Sequence, residues 1–225
     1  MIERAFVWIG GACFAGALAF CTWWYLFVLG RAAPFTGGLS IAVDAALFTI
    51  FALHHSVFAR EMVKRFVAAV VPDRLLRSLY VWTASALLML VCLLWQPVGG
   101  VLYDVRGAAA VLFVAVEAVG VWMIVQSVQA IDPLELAGIR PPRPTDALQI
   151  RGPYGIVRHP LYLGWILAVF GHPHLTGDRA AFAAISSIYL LVAIPWEERS
   201  LTAVFGDSYR RYQQRVRWRV IPFVY

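Results

Sequence analysis

The chain predicts an all-α fold: a polytopic membrane bundle of about five or six segments, the last two forming a short helical hairpin, followed by an interfacial amphipathic helix. Three observations carry this. Of 225 residues, 61% are hydrophobic and 14% charged, against about 25% charged in an ordinary soluble domain. The apolar residues come in long uninterrupted runs, at roughly 6–29, 39–58, 79–96, 107–130, 160–175 and 180–196. Turn-formers separate the runs: Gly37-Gly38, Pro72-Asp73, and Pro97 followed by Gly99-Gly100. One domain over 1–225 is the simplest organisation, with a four-helix membrane part at 1–130 and a loop, hairpin and tail at 131–225.

Taken in order, Phe6 to Leu29 would span about 36 Å as a helix, enough for a hydrocarbon core of about 30 Å. Trp23-Trp24-Tyr25 lies near one end, where an aromatic belt belongs. The charged start MIER resembles that of a signal peptide. The run that follows exceeds the about 7–15 apolar residues of such a peptide, so a retained helix is expected. The second run ends in LHHSVFAR, and a basic loop with Arg60, Lys64, Arg65, Arg74 and Arg77 follows; within it Pro72-Asp73 marks a helix start. Asp44, Phe48, Phe51 and His55 follow helical spacing and share a face. The third run ends at Trp95-Gln96-Pro97, and the fourth holds Glu117 near its middle.

Residues 131–153 carry Pro133, Pro141, Pro142, Pro144 and Pro153 and cannot form a spanning helix. The fifth and sixth runs, 16 and 17 residues joined by GHPHLTGD, are marginal for a full crossing and fit a hairpin buried against other helices. In the tail SYRRYQQRVRWRV, Tyr209, Tyr212 and Val216 fall on one helical face and Arg210, Arg211 and Arg215 elsewhere, as in a helix lying on the inner leaflet.

The net charge of +6 is unevenly distributed. With the N-terminus in the cytoplasm, the loop at 59–78, the stretch 131–159 and the tail from 197 face inward. Of the nineteen Lys and Arg, all but Arg31, Arg106 and Arg179 then lie on that side. The surplus therefore orients the chain and meets anionic headgroups; it does not argue for nucleic acid. Arg outnumbers Lys eighteen to one, the composition of a GC-rich genome. A prokaryotic inner membrane, with both termini cytoplasmic, is the expected location. Cys13, Cys21 and Cys92 lie inside apolar runs with no CxxC pairing and read as packing residues.

The most chemical stretch is RGPYGIVRHPLYLG, from Arg151 to Gly164, where a polar loop meets an apolar helix. Pro160 is placed to open that helix, since its missing N–H is not needed in the first turn. The free N–H groups of the turn and the helix dipole would form an anion site beside Arg158 and His159, suited to a cofactor carboxylate or phosphate. The alternative is a capped helix with an arginine snorkelling to headgroups. Glu197-Glu198 would hold a cofactor hydroxyl or amine or balance a cationic centre; alternatively it is a hydrated helix end pairing with Arg199. Glu117 and Asp44 are functional candidates by their depth, or else neutral acids hydrogen-bonded to a neighbouring helix. His172 and His174 flank Pro173, but metal ligation would need further ligands, and none is evident. The sequence has no GxSxG elbow, no HExxH helix and no glycine-rich nucleotide loop.

GPYGIVRHPLYLGW at 152–165 and EERSLTAVFGDSYRRYQQRV at 197–216, in this order, resemble the isoprenylcysteine carboxyl methyltransferase family of integral-membrane enzymes; phospholipid methyltransferases share the pattern more loosely. HHSVFAR at 54–60, GVWMIVQSVQAIDPLELAGIRPP at 120–142 and HPHLTGD look most like the methanethiol S-methyltransferase and NnrU-like branch, so the resemblance covers most of residues 50–221. It implies S-adenosyl-L-methionine as methyl donor, held by Leu148, Tyr154, His159, Pro160, Tyr162 and Glu198, with Arg158 in support and Glu197 beside them. Two positions depart from the pattern. Ile194 stands where the prenylcysteine enzymes have a substrate-recognising Arg, and Asp146 stands where they have a cofactor-binding His.

The implied reaction is methyl transfer to a small or lipophilic acceptor, a thiol or a prenylcysteine-like carboxylate, entering from the bilayer. A neutral thiol must lose its proton, and His55 is the candidate to assist. Two other readings stand beside this one. Membrane reductases of the sterol-reductase type carry a similar hairpin with an HPxYxG motif yet bind NADPH, whose phosphates ask for more basic residues. A non-catalytic NnrU-like membrane protein would bind neither molecule.

Overall fold

The computed structural model describes residues 1–58, 61–129, 132–140 and 148–225. Pro141, Pro142, Pro144 and Asp146 of the proline-rich stretch, and the last two residues of HHSVFAR, lie outside the described residues. The chain is predominantly helical, as expected. In order it forms α1 (Ile2–Trp23), a π-helical turn (Trp24–Val28), α2 (Gly38–Phe58), α3 (Glu61–Ala68), α4 (Asp73–Leu94) and β1 (Val101–Asp104). There follow α5 (Ala108–Gln129), the single turn α6 (Pro133–Leu136), a 3-10 turn (Gly152–Gly155), α7 (Pro160–Phe170), β2 (His174–Thr176), α8 (Gly177–Phe205) and α9 (Asp207–Arg215). Among the described residues, five helices are long and apolar enough to cross a membrane: those at Ile2–Val28, Gly38–Phe58, Arg74–Leu94, Ala108–Gln129 and Gly177–Phe205. The protein is an integral membrane protein.

The hairpin is present, with unequal arms. Gly171 and Pro173 stop α7 after 11 residues, about 16 Å of helix, too short to cross. Its partner α8 runs for 29 residues, about 43 Å, and passes through Pro195, whose ring removes one ladder bond without ending the helix. A core of about 30 Å is spanned by some twenty of those residues. Glu197 and Glu198 therefore lie on the body of α8, beyond the crossing part, and not at a helix end. The short strand pair β1–β2 was not legible in the sequence.

The chain divides into two compact units. The first comprises Met1–Leu102, Asp132–Pro142 and Thr176–Ala181. There α1 packs on α4: Trp82 donates Nε1–H to the Phe6 carbonyl at 3.1 Å and lies so close to Gly10 that a Cβ there would sit 2.7 Å from the indole nitrogen. The π-helical turn leaves carbonyls off the regular ladder. Arg179 takes two of them, donating to Tyr25 O at 3.2 Å and Leu26 O at 2.6 Å. Its neighbour Asp178, 5% exposed, accepts from Trp95 Nε1 and from the backbone N–H groups of Val98 and Gly99 at 2.9–3.1 Å. Gly99 has φ +69°, and a Cβ there would fall 1.9 Å from the Pro34 carbonyl oxygen, so only glycine fits. Asp44 also lies here, fully buried, with Oδ1 accepting the Gln96 N–H at 2.8 Å and Oδ2 buried without a hydrogen-bond partner among the described residues.

The second unit comprises Tyr103–Ile131, Arg143–Leu175 and Phe182–Tyr225. Its spine is the pair α5 and α7. A Cβ on Gly120 would meet Ala168 N at 2.5 Å, and one on Gly164 would meet Gly120 O at 2.8 Å, so the two backbones touch. Small residues at such a crossing permit the close packing that holds helices together in lipid. Glu117 and His172 face each other across it at 3.8 Å. Trp165 ties α7 to α8, donating to Ser186 Oγ at 2.9 Å. Helix α9 is amphipathic, as expected, but protein covers its apolar face: Tyr209, Tyr212 and Val216 are buried against Leu148, Leu201 and Phe205. The segment after α9 pairs with the loop before α7, through Arg158 N–H to Trp218 O at 2.9 Å and His159 N–H to Arg219 O at 2.8 Å.

Candidate active site

Two sequence elements build the site, and both are in the second unit. The loop Gly152–His159 delivers its side chains at a fixed angle because its backbone is pinned to the tail and Val157 is fully buried. The body of α8 delivers Glu197 and Glu198. Pro160 occupies the first position of α7, with His159 as its N-cap. The N–H groups of Tyr162 and Leu163 both turn back onto the His159 carbonyl, at 3.1 and 3.2 Å, so of that turn only Leu161 is left to meet an anion. The N–H cradle expected from the sequence is thus largely spent within the helix. The polar side chains around it dominate the site.

Those side chains form one network. Arg158 donates Nε–H to Glu198 Oε1 at 2.6 Å, with each side chain 7% exposed. The same guanidinium donates to the carbonyls of Val216 and Arg217 at 2.8 and 2.7 Å. Glu198 Oε2 lies 3.4 Å from both Gln213 Nε2 and Arg219 Nε. The His159 ring lies between the two carboxylates, Nε2 at 3.4 Å from Glu198 and Nδ1 at 3.5 Å from Glu197, and stacks on Tyr162 at 5.3 Å between centroids. Tyr162 donates its hydroxyl to Glu197 Oε2 at 2.6 Å.

Burial alone would push the His159 imidazolium toward losing its proton. The hydrogen bonds and charges of Glu197 and Glu198 outweigh that, and the net displacement is upward from the ordinary histidine value. Tyr154, half-buried, has its phenol raised first by burial and then by the charge of Glu197, so it stays a neutral donor. Tyr212 bonds the Tyr154 carbonyl at 2.8 Å.

The two carboxylates differ in what they have left. Glu198 meets a guanidinium, an imidazole, an amide and a second arginine. Glu197 is 42% exposed, and its contacts with Tyr162 and His159 both go to one oxygen, Oε2. Tyr209, 1% exposed, has a hydroxyl with no hydrogen-bond partner among the described residues, and burial followed by the charge of Glu198 raises its pKa. A buried orphan hydroxyl beside a charged cluster is the usual mark of a missing ligand or water.

Of the residues predicted from sequence, the structure brings together Tyr154, Arg158, His159, Pro160, Tyr162, Glu197 and Glu198. Leu148 packs beside them against Tyr209 and Tyr212. His55 lies in the first unit, where its Nδ1 hydrogen-bonds the Tyr80 hydroxyl and His54 stacks on the same tyrosine. Ile194 is fully buried, with no room for the role of a substrate-facing arginine. Among the described residues no group of three His, Cys, Asp or Glu could hold a metal. Sequence reasoning missed Tyr209, Gln213 and Arg219. Tyr209 is on the tail face expected to meet the inner leaflet, Gln213 follows it one turn later, and nothing local ties Arg219 to Glu198.

Fold and site thus define a class: polytopic membrane proteins with an acid–imidazole–guanidinium network at the open end of a helical hairpin. Residues 108–208 match the family described as phospholipid methyltransferase. The chain is 36% identical over 189 residues to a methanethiol S-methyltransferase of Pseudomonas deceptionensis, covering 79% of this chain and 71% of that protein. It is 34% identical over 194 residues to a protein of the same name from Crocosphaera subtropica (82% and 76% covered). With methanethiol S-methyltransferase 2 of Bradyrhizobium diazoefficiens it shares 38% over 192 residues (81% and 74%). No solved structure matches the chain. The chain belongs to this family of membrane methyltransferases, and it is an enzyme that transfers a methyl group from a donor at the membrane.

Proposed function

We propose that the donor is S-adenosyl-L-methionine and that the acceptor is a small thiol of the methanethiol class, methylated at a prokaryotic inner membrane by one domain spanning 1–225 with its termini in the cytoplasm. The single observation that carries the reading is the asymmetry of the two glutamates. Glu198 is spent on Arg158, whereas Glu197 keeps an oxygen and an exposed flank, as a ligand with a cationic end requires. The open carboxylate, the orphan Tyr209 hydroxyl and the neutral Tyr154 phenol suit a molecule bearing an ammonium group and ribose hydroxyls. Two carboxylates at the site disfavour NADPH, whose phosphates they would repel.

When bound, the donor supplies an electrophilic methyl carbon on a cationic sulfur. The protein's part is binding and alignment. Glu197 accepts from the donor's cationic end, Tyr162 and His159 hold Glu197 in place, and the Arg158–Glu198 pair fixes the angle of the His159 loop. Pro160 and Leu148 add apolar wall. Alignment of the reactants supplies much of the rate, and an apolar surround keeps water from competing. The thiol proton must leave before or during attack, and His55 is the proposed acceptor.

Calorimetric titration of the purified protein with S-adenosylmethionine and with NADPH tests the donor; heat with NADPH alone would overturn the reading. A labelled methyl-transfer assay against thiols, prenylcysteines and lipids tests the acceptor. His55→Ala should lower turnover and leave donor affinity unchanged, and unaltered turnover would remove His55 from the mechanism.

A further inference from the structure

Outside the glutamate network, α9 carries a second polar feature. Its aromatic face is buried in protein, so the face left over is the basic one. Ser208, Arg211 and Arg215 follow one another at helical spacing and line a cavity of about 260 Å³ whose remaining wall is Leu148, Ile150 and Tyr212. Neighbouring arginines are spoken for: Arg158 and Arg219 meet Glu198, and Arg210 meets Asp207 at 2.8 Å. Arg211 and Arg215 meet no carboxylate among the described residues; Arg211 donates Nη2–H to Ser208 Oγ at 3.3 Å. Like charges one turn apart repel each other, and here nothing in the described chain compensates them.

We propose that this cavity is a seat for the phosphodiester of an anionic membrane phospholipid. Two guanidiniums and a hydroxyl match the oxygens of a phosphodiester. The apolar wall of Leu148 and Ile150 matches the lipid's glycerol and first methylenes, which a free inorganic anion lacks. In an integral membrane protein, a basic helix that has already buried its apolar face holds the bilayer through headgroups and not through hydrophobic insertion. The cavity shares the Leu148 wall with the methyl-donor reading, but its polar groups, Ser208, Arg211 and Arg215, take no part in that reading, and the test below tells the two apart.

The test compares full-length protein with R211Q/R215Q in nanodiscs of phosphatidylcholine carrying increasing phosphatidylglycerol, with bound lipid counted by native mass spectrometry. Each basic residue at an anionic surface is worth roughly a fivefold factor, so the double variant should bind phosphatidylglycerol about twenty-five-fold more weakly. Phosphatidylcholine binding should not change. R211K/R215K, which keeps both charges, should retain most of the preference, and thermal unfolding of all three proteins should coincide. Three outcomes would each overturn the proposal. Equal phosphatidylglycerol binding by the Gln variant would place the lipid elsewhere. Displacement of the lipid by millimolar inorganic phosphate would make this a soluble-anion site. A fall in S-adenosylmethionine affinity of the Gln variant would assign the cavity to the methyl donor.

Discussion

Asp178 in the first unit and Glu198 in the second are both carboxylates removed from water, and they solve the same problem differently. Asp178 spends its oxygens on three neutral donors, the Trp95 indole and the N–H groups of Val98 and Gly99. Each belongs to the turn the carboxylate stabilises, and the result is a closed knot. Glu198 is held by charged partners, Arg158 and His159, and one of these is shared with a second acid, Glu197, that is left partly open. A carboxylate that fixes a loop needs only to be satisfied. A network that receives a ligand must be rigid at one end and unsatisfied at the other. Burial alone would not separate the two cases; the count of unspent atoms does.

The contrast breaks most clearly on removal of the acids. Glu198→Ala leaves the Arg158 charge buried without its counter-ion and should destabilise the protein by about 3–5 kcal/mol. Asp178→Ala strands neutral donors at about 1–3 kcal/mol each, with partial relaxation, and should cost about 3 kcal/mol. Thermal unfolding in nanodiscs measures both. If Asp178→Ala proves the more damaging, charge is not what distinguishes the two knots. Glu197→Gln sharpens the comparison because it alters the open end. It should weaken donor binding by about tenfold to a hundredfold, the worth of a hydrogen bond to a charged group, while the melting temperature stays close to that of the unaltered protein. A Glu197→Gln protein that binds donor normally but melts early would make Glu197 a second Glu198.

Much of this was legible from residue order. Run lengths located the spanning helices other than α8, because lipid imposes a minimum apolar length that a sequence must display. RHPLYLG and the paired glutamates announced where polar groups collect. The extent of α8 was not legible, because Pro195 followed by charged residues reads as a stop, and only packing carries the helix past it. The burial of Tyr209 and Tyr212 was hidden for a related reason: an amphipathic pattern shows that one face is covered and is silent on whether lipid or protein covers it. The division of labour between Glu197 and Glu198 was beyond reach. It depends on Arg158, Gln213 and Arg219 converging from three separate stretches.

The smallest expected effect separates the knots by pH. His159 faces Glu197 and Glu198 and stacks on Tyr162, with Arg158 on the far side of Glu198. Its pKa in the folded protein is raised above the unfolded value of about 6.5. The folded state therefore binds the proton more tightly than the unfolded one. The stabilisation is complete below about pH 6.5 and is lost as pH climbs through the raised value. The melting temperature should therefore fall as pH rises from about 6.5 through the raised value. His159→Gln keeps a polar side chain between the two acids but removes the titration, and should flatten that slope. Asp178 offers no counterpart, since none of its three donors titrates in this range. A slope unchanged in His159→Gln would mean that the imidazole does not titrate between the two acids in this range.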